Sequence, residues 1–191
     1  MFRRFLATFV CVFSLLVALA VQATQAPSPS PAVPRTFEQV LPRNFTIVHT
    51  KIVEMVRDFP QDKIDYRPHK DARSFAEEVW HVTAVVQLLA ARARGETVDS
   101  RKLFSNEGKP RDREEMAMAL EKATQEVAAY MQKNLDPQFI STCTHAAEHY
   151  GHLVGIYRSL GLVPPASRPG YKGVAFERVM VPTPPREGRP Q

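Results

Sequence analysis

The chain has 191 residues, is 44% hydrophobic and 24% charged, and carries a formal charge of +5. That length and apolar content allow one domain with a real core. The basic excess is mild and no Lys/Arg run is clustered, so the sequence lacks a nucleic-acid footprint.

The first 23 residues read as a segment outside the fold. Arg3 and Arg4 precede an almost wholly apolar run from Phe5 to Val21, and Val21-Gln22-Ala23 ends it in small residues. This is the pattern of a secretory signal peptide. Cleavage is preferred to a retained membrane anchor because a Pro/Ser-rich spacer follows. It would remove both arginines and leave a mature charge of +3. The expected destination is the periplasm or the extracellular space, with no stable anchor after cleavage. Cys143 is then the lone cysteine of the mature chain. It cannot form an intrachain disulfide and reads as a packed small hydrophobe.

Residues 24–35 read as a disordered linker. From Thr36, helix periodicity begins. Val40, Leu41, Phe45, Val48, Ile52, Met55 and Val56 recur at helical spacing, with Gln39 at the capping-box distance from Thr36. Pro42 either kinks the first turn or marks the true start. An extended connector follows Phe59-Pro60. Ser74 and Glu77 make a second capping box, and the helix they open runs to about Arg94, with Gly95 as its C-terminal cap. Gly95 to Arg111 reads as a polar connector. Asp112 and Glu115 open a third helix, whose apolar face is Met116, Leu120, Ala123, Val127 and Tyr130. Asp136-Pro137 restarts the chain as a fourth helix ending at Leu160-Gly161. No alternating strand pattern of any length is present. The expected fold is all-α, a four-helix bundle over residues 36–166, with a Pro-rich tail over 167–191.

The chemistry gathers in the fourth helix. His145, His149 and His152 are spaced i, i+4, i+7 and share a stripe that continues into Ile156 and Leu160. A stripe that becomes apolar faces a core, and inward imidazoles need partners. A metal ion suits several neutral imidazoles; hydrogen bonds to backbone or side chains are the plainer alternative. His81, in the second helix, shares its stripe with Val85 and Leu88 and also faces inward. His69, after Pro68, and His49, beside Thr50, read as structural or solvated. Trp80 points away from His81 and reads as core or interface.

Three segments carry a family likeness: Phe59-Pro-Gln-Asp-Lys-Ile-Asp-Tyr-Arg-Pro68, Arg73-Ser-Phe-Ala-Glu-Glu-Val-Trp-His81, and His145-Ala-Ala-Glu-His-Tyr-Gly continuing through Ile156-Tyr-Arg-Ser-Leu-Gly-Leu-Val-Pro-Pro165. In order and spacing they resemble the DinB-like superfamily of metal-binding four-helix bundles. The resemblance implies an up-down bundle and a divalent metal held by His81, His145 and His149. Where the family usually has Gln or Asn after the glycine, this chain has His152 after Gly151. That leaves a fourth ligand, a group behind the ligands or a proton carrier open for His152. Three neutral His ligands leave an open coordination position. Zinc, nickel and iron all tolerate imidazole, with zinc or nickel favoured.

The function expected is a metal-dependent hydrolase acting on an unidentified small molecule, with a homodimer among the assemblies to expect. Two alternatives stand beside it. Members of the family include thiol-dependent S-transferases, but export would separate the chain from a cytosolic thiol cosubstrate. A non-catalytic, metal-stabilised binding bundle is the other. His145-Ala-Ala-Glu148-His149 also fits the H-x-x-E-H pattern of inverted zinc proteases. Those enzymes need an acidic ligand downstream, and only Glu177 and Glu187, both in the Pro-rich tail, follow.

Overall fold

In a computed structural model, residues 36–134 and 136–173 are described. The signal segment and linker expected over 1–35, and the tail beyond 173, lie outside the described residues. Five α-helices occur among them: α1 Phe37–Asp58, α2 Phe75–Ala93, α3 Ser100–Phe104, α4 Arg113–Met131 and α5 Gln138–Ser159. There is no strand among the described residues. The four long helices are those expected from periodicity; α3 is a short addition inside the connector read as irregular. None of the described helices is long and apolar enough to cross a membrane.

The helix starts follow from capping chemistry. Glu77 N–H donates to Ser74 Oγ at 3.3 Å, and Ser74 N–H donates to Glu77 Oε2 at 2.8 Å. Two of the unpaired donors at the start of α2 are satisfied by this reciprocal pair. Asp112 accepts from the backbone of Glu114 and Glu115 at 2.9 and 3.0 Å, and Asp136 accepts from Gln138 N–H at 2.8 Å. Thr36 N–H donates to Gln39 Oε1 at 3.3 Å, so α1 begins at Phe37 and Pro42 lies inside it.

Side-chain pairs fix the helix directions. Tyr157 OH donates to the carbonyl of Met55 at 2.7 Å and Lys51 Nζ lies 5.7 Å from the Tyr150 ring, so α1 and α5 run parallel. Glu78 meets His152 while His81 meets His145, so α2 and α5 are antiparallel. Gln61 bonds to Arg111 and Arg57 to Glu121, making α1 and α4 antiparallel. Trp80 Nε1–H donates to Pro110 O at 3.0 Å and Arg94 pairs with Glu126, so α2 and α4 run the same way. The chain therefore goes up, down, down, up. This refines the simple alternating order, because the long connector through α3 crosses the bundle and returns the chain to the end at which α2 began. α1 packs on α4 and α5, and α2 packs on the same two helices.

At one end Phe59 and Phe75 stack with centroids 3.7 Å apart, and the Phe59 and Tyr157 rings meet edge to face at 5.1 Å. All three residues are fully buried. Each such ring pair adds about 0.5–1.5 kcal/mol beyond its buried area. Tyr157 OH also donates to Asp58 Oδ2 at 3.1 Å, and Asp58 receives both Arg168 Nη groups, at 2.7 and 2.5 Å. The start of the tail is thus tied to the end of α1.

Removing the cap of α2 tests this frame. Ser74→Ala should cost about 1 kcal/mol, seen as a lower unfolding midpoint in denaturant with an unchanged m-value.

Candidate metal centre

The site lies where α2 and α5 face each other. Ser74 opens α2 so that Glu78 and His81, three residues apart, fall on one face. On α5, His145 and His149 are one turn apart on the facing side. Three Nε2 atoms converge: His81 to His145 at 3.1 Å, and His149 to His145 at 3.0 Å. His149 is buried; His81 and His145 are half-buried, so the cluster is closed toward the core and open on its outer side. The structure brings together the three histidines that the resemblance implied.

Behind His149 stands a residue that the sequence reading did not single out. Glu78 is only 3% exposed. Its Oε1 lies 2.5 Å from His149 Nδ1 and 2.7 Å from His152 Nδ1. Burial alone would push the Glu78 carboxyl up, but hydrogen bonds from His149 and His152 outweigh it and hold the pKa down to about 2. An ionised carboxylate is acceptor-only, so both imidazoles donate their Nδ1–H to it. Arg73 adds an ion pair to Glu78 at 3.5 Å. In the sequence Glu78 is i−3 from the inward-facing His81 and shares its face, but beside Glu77 it reads equally as helix-start chemistry.

This bonding determines what the three Nε2 atoms can do. With its proton on Nδ1, neutral His149 has a lone pair at Nε2. His145 Nε2 faces both other nitrogens and can donate to at most one of them. The cluster therefore cannot satisfy itself by hydrogen bonds alone. A cation accepting three lone pairs does satisfy it, and a carboxylate behind one ligand is the usual way to fix its tautomer and raise its basicity. Burial, with repulsion from Arg73 and the neighbouring imidazoles, lowers the His81 pKa to about 4; burial likewise lowers that of His145. Both are thus held in the neutral, ligating form near neutral pH.

His152 lies elsewhere than the centre of its stripe. Its side chain is 65% exposed, and its Nδ1 is committed to Glu78 rather than to the triad. Glu78, His149 and His152 also lie close enough together to hold an ion. The 2.5 Å contact between Glu78 and His149 is nevertheless that of a charge-assisted hydrogen bond. His69 is exposed in its loop, and His49 is buried in α1. Cys143 is half-buried against the core, and burial pushes its thiol up to about 11. Trp80 is buried and anchors the crossover through Pro110, as expected of a core residue. Phe104 of α3 reaches back to the site, its ring 5.7 Å from that of His81. A groove of about 940 Å³ lined by Thr46, Glu54, Ala128 and Lys172 includes none of these histidines.

The pH dependence of the metal-free protein follows from these groups. Burial lowers the pKa of both His49 and His81 to about 4 in the folded chain, from the ordinary imidazole value of about 6.5. Between those values the unfolded chain binds more protons than the folded one, so folding stability rises with pH. Lowering the pH from about 6.5 to about 4 should lower the thermal midpoint of the metal-free protein. The same scan on His49→Phe should show a shallower slope.

Among known families, the model described as the DinB superfamily matches residues 44–163. No curated protein and no solved structure matches the chain.

Proposed function

The chain belongs to the DinB superfamily, and from that premise we propose that it is an exported metalloprotein, with His81, His145 and His149 holding a divalent ion for hydrolysis of a small molecule. The observation that carries the metal reading is the convergence of three Nε2 atoms around His145, at 3.0 and 3.1 Å, with no set of protons able to satisfy them all. Zinc or nickel is favoured and iron is the further candidate; all three accept imidazole ligands.

The hydrolytic reading draws support from the shape of the site. A purely structural ion is usually enclosed by four protein ligands, whereas here three converge and the outer side of His81 and His145 is open. When bound, the ion would supply Lewis-acid polarisation of a carbonyl or phosphoryl oxygen, or lower the pKa of water. The residues of the chain do the rest. Glu78 fixes His149, His152 shares that carboxylate at the solvent edge, and Phe104 puts an apolar ring beside the opening. Export is supported by the basic start and apolar run of the first 23 residues.

Elemental analysis of protein purified without added metal should find about one divalent ion per chain. His81→Ala, His145→Ala and His149→Ala should each abolish most of that content. Glu78→Gln and His152→Ala should weaken binding less, with Glu78→Gln costing roughly 10–100-fold. His69→Ala should leave it unchanged; full metal content in all three ligand variants would end this reading. Terminal sequencing from the native host should place the mature start after Ala23 or Ala26, and an intact Met1 in a soluble cytosolic fraction would contradict export.

A further inference from the structure

His49 is a buried histidine outside the cluster of three. It sits on α1, 1% exposed, on the stripe it shares with Phe45, Ile52 and Val56, all of them fully buried. Its Nδ1 lies 2.7 Å from the carbonyl of Phe45, one turn back. A carbonyl can only accept, so the ring proton is on Nδ1 and Nε2 presents a lone pair. That Nε2 is buried and has no hydrogen-bond partner. A buried polar atom left unpaired is destabilising, and an apolar residue at this core position would avoid that cost.

The height of His49 in the bundle gives the lone pair a direction of use. α1 and α5 run parallel, with Lys51 beside Tyr150 and Met55 beside Tyr157. The same register sets His49 level with His149 and about one turn from His145. Its stripe faces the bundle interior, where α5 also places the buried His149. Independently, a charge on His145 is close enough to lower the His49 pKa, in addition to the larger effect of burial. His49 is therefore a neutral acceptor on the wall across from the triad.

We propose that His49 presents Nε2 as the hydrogen-bond acceptor for a water molecule held in the bundle interior beside His145 and His149. The proposal rests on the metal reading, since the water would be shared between His49 and the centre that the triad forms. His49 is then a positioning residue: it orients the water's O–H bonds and leaves an oxygen lone pair directed toward the triad.

Two measurements test it, with zinc as the probe. In the wild-type chain, nitrogen-15 NMR should show His49 Nε2 unprotonated and hydrogen-bonded, with a shift that moves when zinc is added while His69 does not move. In a chelator-competition titration, His49→Phe should bind zinc roughly tenfold more weakly, the lower end of what groups behind the ligands contribute. The thermal midpoint of the metal-free variant should be unchanged or higher, because phenylalanine replaces a buried polar ring with an apolar one that still packs on Phe45. A purely structural histidine would leave zinc affinity and the zinc-dependent shift unmoved. Equal affinity in wild type and His49→Phe overturns this proposal alone. So does a His49 Nε2 signal at its free-acceptor position that zinc leaves unchanged, a readout that needs no variant to fold. Failure of the wild-type chain to bind zinc, nickel or iron overturns the metal reading and this proposal together.

Discussion

The buried carboxylate of Glu78 is the constraint on which the site depends. Burying an ionised group is costly unless hydrogen bonds and opposite charge compensate it. Glu78 receives two imidazole N–H donors and the Arg73 guanidinium. Once those bonds are made, the tautomer of His149 follows, and with it the direction of its lone pair. The cluster of three nitrogens is a consequence of that one carboxylate as much as of the histidines themselves.

Holding Glu78 there is the task of the bundle. The capping box at Ser74 fixes where α2 begins and hence which face Glu78 and His81 share. The Phe59–Phe75–Tyr157 cluster sets the start of α2 against α1 and α5. Trp80, immediately before His81, is tied to Pro110 in the crossover. The crossover in turn carries Phe104 back to the open side of the site. Residues distant from the imidazoles thus set the geometry in which a metal ion would be held.

Much of this was legible in the residues. Apolar spacing marked all four long helices, because each buries a stripe, and Ser74, Asp112 and Asp136 marked where three of them start. The inward faces of His81, His145 and His149 followed from the same periodicity. Three features were not legible. Glu78 was hidden because an acidic residue beside Glu77 reads as helix-start chemistry, and only the facing His149 and His152 give it another role. His152 lies on the edge of its stripe, and periodicity cannot separate an edge from a centre when 145 and 152 differ by only about 20° on a helical wheel. The two parallel helices α2 and α4 depend on how a long connector folds back, which spacing within helices does not encode.

The pairing of the helices also constrains the order in which the chain can fold. α1 packs mainly on α4 and α5, and α2 packs on the same two, so neighbours in sequence are not the principal neighbours in space. No early helical hairpin can bury the apolar stripes of α1 and α2. Loop closure over long stretches of chain must come before that burial is gained, which raises contact order above that of a simple hairpin bundle and slows folding. During synthesis the stripes of α1 and α2 stay unburied until Arg113–Met131 has emerged. A chain arranged in this way stays open for as long as its second half is missing, and its core closes late.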